Sequence, residues 1–237
     1  MVKIQLGDIA VEVVQKSIKN IHLSVYPPQG KVRIAAPLRM DLGTIRVFAA
    51  SKISWIKQQQ HKLQNQARES PREYIDRESH YLWGKRYLLK VVEQDAPPNV
   101  QLQHSAMVLS VRPGADEDKK QSVLGEWYRR QMKKEIHLLL EKWAPHMGVE
   151  IPSFIVRKMK TKWGSCTPAS KSILINLELA KKPAECLEYI VLHELTHLLE
   201  PTHNSRFVGL MTQFMPKWQL HRDELNRLPV RHEDWDY

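Results

Sequence analysis

The chain has 237 residues, 42% of them hydrophobic, which is enough apolar material for a packed core without external staples. Its 36 Lys and Arg against 26 Asp and Glu give a formal net charge of +10, so polyanions are admissible partners. The two cysteines, Cys166 and Cys186, exclude a disulfide framework, and the absence of a signal-like start or a run of 18 apolar residues argues against secretion and membrane spanning; a reduced, cytoplasmic protein with no membrane partner is expected.

The segments VEVV (11–14), NIHLSVYP (20–27) and KVRIAAP (31–37) read as antiparallel strands separated by turn material such as Pro27-Pro28-Gln29-Gly30. After Pro37 the period changes. Asp41 is placed to cap one helix carrying Ile45, Phe48, Ala49, Ile53 and Ile56. The charged stretch ARESPREYIDRES (67–79) has no core face and reads as a linker. HYLWGKRYLLKVVE then suggests a hairpin about Gly84, and QLQHSAMVLSVRP a further strand or pair before Pro113-Gly114. Residues 1–110 hold 16 basic and 9 acidic residues (+7) and residues 111–237 hold 20 and 17 (+3), so a nucleic-acid-binding first half is one reading.

A long helix is expected from Asp116, with acidic residues at its start and an apolar stripe of Leu124, Trp127, Ile136, Leu139, Leu140 and Trp143, ending near Pro145 and Gly148. SFIVRKMK and SILINLEL read as strands around a polar loop, the second with Ile173, Ile175, Leu177 and Leu179 on one face. Another helix is expected to begin near Pro183. No internal repeat is visible. The fold class is α+β, with a β-rich domain containing one helix over 1–112 and a second domain over 113–237.

Residues 193–206 read HELTHLLEPTHNSR. On a helix, His193 and His197 lie about 40° apart and project from one face, a two-ligand claw for a metal ion. Glu194, turned about 100° from His193, sits beside such an ion and suits a general base. A catalytic zinc takes three protein ligands. Pro201 ends the helix, and His203 can fold back as the third ligand; Glu224 on a later helix is the rival. The spacing is that of metzincins, with Glu200 where those proteins turn on a glycine. Met211 and Met215 are expected to pack in the core.

Arg157, Lys158, Lys160, Lys162 and Lys171 place positive charge ahead of this motif, where Trp163-Gly164-Ser165 offers exposed backbone donors to an anionic group. Lys160, Lys162 and Asn176 are the candidate substrate-binding residues, and the ILINLEL strand is the expected partner for an extended peptide. Cys166 has no necessary role beside a three-histidine site.

MKTKWGSC (159–166), ILINLEL (173–179) and YIVLHELTHLLEPTHNSRF (189–207), with KVRIAAP, Trp55-Ile56, GKRY and WYRRQ earlier, resemble the YgjP-like family of zinc-metallopeptidase-type proteins over nearly the whole chain. The resemblance implies a zincin-like fold over 113–237, one Zn2+ held by His193, His197 and His203, and Glu194 as catalytic acid/base. Lys162 stands where the family more usually has arginine, and Val208 where a tryptophan is common. Some members of that family are assigned to nucleotide pyrophosphate hydrolysis with UTP as substrate. The expectation is therefore a zinc-dependent hydrolase of metallopeptidase type acting on peptide or protein; the alternatives are a UTP pyrophosphatase using the same zinc site with the 157–171 loop, and a nucleic-acid-associated protein or protease.

Overall fold

A computed structural model describes residues 2–26, 30–65, 71–160 and 162–229, apart from the side chain of residue 62; these form two compact units, 2–65 and 71–229. Most of the expected Pro27 turn, the first part of the expected 67–79 linker and His232 lie outside the described residues.

In the first unit, β1 (Val2–Leu6), β2 (Ile9–Lys16), β3 (His22–Tyr26) and β4 (Lys31–Pro37) form a sheet in the order β1-β2-β4-β3. β1 and β3 pair antiparallel with their neighbours, but β2 and β4 run parallel, with Val11 opposite Val32 and Val13 opposite Ile34. That register puts all four side chains on the core face with Ile45, Ala49 and Ile56. Gly30, at φ +77, turns its carbonyl to Gln60 Nε2 at 2.8 Å.

Asp41 caps α1 (Leu42–Ser51) as expected, accepting from Thr44 N at 2.9 Å. The single helix expected here is two. Ser51 Oγ donates to Phe48 O at 2.8 Å, the carbonyl that the Lys52 N–H would use in an unbroken helix, and the Lys52 N–H donates to Ala49 O instead. The tightened turn separates α1 from α2 (Ile53–Asn65).

The second unit opens with β5 (Ser79–Leu82), β6 (Lys85–Glu93), β7 (Asn99–Gln103) and β8 (Ala106–Val111) in the order β5-β6-β8-β7, again with the inner pair parallel and the outer pairs antiparallel. The two sheets share one topology, a repeat not legible in the residues. Trp83 (φ 49) and Gly84 (φ 77) make the tight two-residue turn of the expected hairpin. α3 (Glu117–Met147) starts at its Asp116 cap and stops at Gly148 (φ 66). Its Leu124, Trp127, Met132, Ile136 and Leu140 are buried in one core with Leu89, Met107 and Leu109 from the sheet and Ile173, Ile175, Leu187 and Val191 from beyond it. The compact units therefore divide in the 66–70 region rather than between 112 and 113, because the β5–β8 sheet buries its apolar face in the same core as the later helices.

β9 (Ser153–Arg157), β10 (Gly164–Thr167) and β11 (Ser172–Asn176) form a small sheet in the order β10-β11-β9. The expected strand through Leu179 stops early: Asn176 Oδ1 accepts from Glu178 N at 3.2 Å and starts a 3₁₀ turn over Leu177–Lys181, which still buries Leu177 and Leu179. α4 (Ala184–Leu199), α5 (Ser205–Phe214) and α6 (Trp218–Arg227) complete the α+β fold. Among the described residues no helix is long and apolar enough to cross a membrane.

Candidate metal centre

α4 carries residues 193–197 and is fixed by Leu187, Val191 and Leu195, all fully buried. It ends because Pro201 cannot continue the ladder; Glu200 is already extended (φ −144, ψ 104). Glu200 Oε1 then accepts from Thr202 N at 3.2 Å and from Thr202 Oγ1 at 2.8 Å. Asn204 Oδ1 accepts from Phe207 N at 3.0 Å and caps α5. Between these two fixed turns His203 comes back over α4. An extended residue makes the bend, so the glycine of the metzincin spacing is not needed here.

One ligand atom each from His193, His197 and His203 lie within 4.8 Å of one another, and Glu224 is not in this group. The Nε2 atoms of His193 and His203 are 3.0 Å apart. The Phe207 ring sits 4.9 Å from that of His193 and 4.8 Å from those of His197 and His203, centroid to centroid, an apolar wall touching all three. Nδ1 of His197 lies 3.1 Å from Glu200 O, a position where Nδ1–H donates and leaves the Nε2 lone pair free.

Burial, then the neighbouring His197 and His203, push His193 down to about 4; burial likewise lowers His197. Both are neutral imidazoles at pH 7, the form that binds metal. Among the described residues, His193 Nδ1 is buried with no hydrogen-bond partner. Converging imidazole nitrogens, with two Nε2 atoms at 3.0 Å, suit a zinc-sized cation better than they suit one another.

Glu194 is 4% exposed, and burial pushes its carboxyl up to about 7 against the opposing pull of Lys162. Its carboxylate lies against the backbone of Gly164 on β10. Burial, reinforced by Glu194, raises the Cys166 thiol to about 11, which keeps it protonated at neutral pH. Tyr189, one turn ahead of His193, was missed by the motif: its ring stands edge-on to His193 at 5.9 Å and stacks on Trp218 at 6.2 Å. The i, i+4 spacing from Tyr189 to His193 was the available signal. Met211 and Met215 are buried core residues, as expected, with Met211 Sδ 3.3 Å from Thr196 Oγ1.

The three candidate substrate-binding residues have different fates. Lys160 and Lys162 lie exposed on the loop leading to β10. Asn176 is buried, and its amide is fully spent: Nδ2 donates to Met159 O (3.0 Å) and Lys162 O (2.8 Å), while Oδ1 accepts from Met159 N (3.3 Å) and Glu178 N (3.2 Å). It pins the loop rather than offering a bond to a ligand. Asn176→Ala is expected to cost about 2–4 kcal/mol by urea denaturation, since several buried main-chain groups lose their partner. The ILINLEL strand is also unavailable to a peptide, because β11 lies between β9 and β10 with both edges paired.

Residues 19–228 match the family model of the YgjP-like metallopeptidase domain. Among solved structures, the metallopeptidase zymogen abylysin of Pyrococcus abyssi is similar at 23% identity and a TM-score of 0.36, covering 38% of this chain and 90% of its own. The zymogen jannalysin of Methanocaldococcus jannaschii is similar at 23% identity and a TM-score of 0.34, with the same coverage. These two likenesses are too slight to bear on the chemistry. No curated protein matches the chain.

Proposed function

The chain belongs to the YgjP-like family of metallopeptidase domains, and from that premise we propose a zinc-dependent peptidase whose ion is held by His193, His197 and His203 and whose general base is Glu194. The observation that carries this reading is the convergence of three imidazoles, two of them on the helix that carries the buried Glu194. When bound, zinc supplies a water acidified to near neutrality and a Lewis acid for a carbonyl oxygen. Glu194 takes the proton in its ionised form and returns it to the leaving amine. Ionisation at Glu194 is opposed by burial, so its proton affinity is high enough to take a proton near pH 7; hydrolysis declines on the acid side as the carboxyl becomes protonated.

β10 presents the substrate-pairing edge. Asn176 N donates to Trp163 O at 2.9 Å, so the alternation of an antiparallel ladder spends Ser165 and Thr167 on β11. The backbone N–H and C=O of Gly164 and Cys166 then face the open side, where an extended peptide can add as a strand directly beside Glu194. This places the cut bond by main-chain pairing.

The rival phosphoanhydride reading draws on Lys162, whose charge Glu194 feels. Casein cleavage and pyrophosphate release from UTP, measured on the same zinc-assayed protein, separate the two. Casein cleavage abolished by chelation and restored by zinc is expected. Pyrophosphate release without peptide cleavage would replace the peptidase reading.

A further inference from the structure

We infer that Gly164 is a positioning residue for Glu194: it is glycine because the space of a side chain there is filled by the Glu194 carboxylate. This rests on Glu194 as the base, the reading proposed above.

A Cβ at position 164 would lie 2.4 Å from Glu194 Oε1 and 2.9 Å from both Cδ and Cγ, inside the 3.0 Å that real Cβ contacts respect. Backbone conformation does not demand glycine here, since Gly164 is absent from the left-handed residues and sits in a regular strand paired with Ile175. The requirement is purely steric. Relief by movement of α4 is blocked, because Val191 and Leu195 on either side of Glu194 are fully buried in the core of the second unit. Relief by movement of β10 would break its pairing to β11. The part free to move is the carboxylate itself.

A methyl group at 164 therefore drives the base out of its place beside the β10 edge while His193, His197 and His203 keep theirs. Gly164 sets the separation between the strand that aligns the substrate and the group that takes the proton. A displacement of about 1 Å at a reacting group costs on the order of 10²-fold in rate.

The test is a cycle of four proteins, wild type, Gly164→Ala, Glu194→Asp and the double variant, beside Glu194→Gln and Glu194→Ala with and without Gly164→Ala as controls, with zinc content, melting temperature, kcat and KM measured on one casein-derived peptide. Gly164→Ala is expected to keep about one zinc and the parent melting temperature, to lose about 10²-fold in kcat, and to change KM little. Glu194→Asp draws the carboxylate back by one bond, about 1.5 Å, and removes the contact at 2.4 Å, leaving the Cγ position at 2.9 Å, just inside the limit. Adding Gly164→Ala to Glu194→Asp should then cost less than threefold, a strongly non-additive cycle. Gly164→Ala within twofold of wild type, or an equal loss in both backgrounds, overturns the inference. So does a fall in melting temperature or zinc content that recurs at full size when Gly164→Ala is placed on Glu194→Ala, because the methyl would then be acting on the fold. Glu194→Gln turning over like wild type would instead sink the base assignment; an inactive Glu194→Gln beside a fully active Gly164→Ala sinks the role of Gly164 alone.

Discussion

Glu194→Gln is expected to retain about one zinc per chain and to lose about 10³-fold in kcat with KM nearly unchanged. The side chain has the same length and volume, the three imidazoles are untouched, and only the capacity to take a proton is removed. The variant also has a stability signature in metal-free protein. The folded carboxyl is raised from 4.5 to about 7, so between those values the folded chain holds more protons than the unfolded one. Stability from this group is present below about pH 4.5 and lost as pH rises through 7, amounting to up to about 3 kcal/mol. Glu194→Gln escapes that loss. Metal-free Glu194→Gln should be more stable than metal-free wild type at pH 8, with the difference vanishing near pH 4.5, as read by urea denaturation.

His203→Ala is expected to lose zinc on dialysis and to abolish hydrolysis while leaving the fold in place. Two histidines on α4 do not complete a catalytic zinc site, which takes three protein ligands. His203 lies on an exposed bend held by the side chains of Glu200, Thr202 and Asn204, and those bonds do not depend on its imidazole. Its removal should lower the melting temperature of metal-free protein by no more than about 2 °C, within the range of an ordinary surface substitution. His197→Ala should lose the metal as fully. Glu224→Ala should not, because that residue lies outside the triad and its charge is felt by Cys186 instead.

The site was more legible in the sequence than the domains were. Two histidines at i, i+4 with a proline-terminated helix set two imidazoles on one face by local geometry alone, and His203, the proposed third ligand, lies ten residues from the first, within reach of a single bend. α3 was legible for the same reason, since its Asp116 cap and its Gly148 stop are local signals. What escaped depends on pairing between distant segments. The parallel alignment of β2 with β4, and of β6 with β8, leaves no mark on alternation, so the shared topology of the two sheets was invisible. The residue pattern changes from strand to helix at 112/113 and suggests a boundary there, whereas one core joins β6 and β8 to α3 across it. A polar residue in an apolar strand reads as a substrate ligand, as Asn176 does; only its bonds to the backbone of Met159 and Lys162 show where its amide is used. The break at Lys52 turned on one hydroxyl, Ser51 Oγ, capturing one carbonyl. Gly164 carried a visible sign, a glycine inside a strand, which marks a close approach of another group; the sequence did not say that the group was Glu194.

Zinc-edge X-ray absorption on purified protein, wild type beside His203→Ala, tests the centre most directly. One zinc per wild-type chain is expected, with three imidazole nitrogens at about 2.0–2.1 Å and one oxygen ligand besides, and loss of the ion from His203→Ala. A wild-type chain that refuses zinc, or a His203→Ala chain that binds it with an unchanged set of three imidazoles, would contradict that expectation.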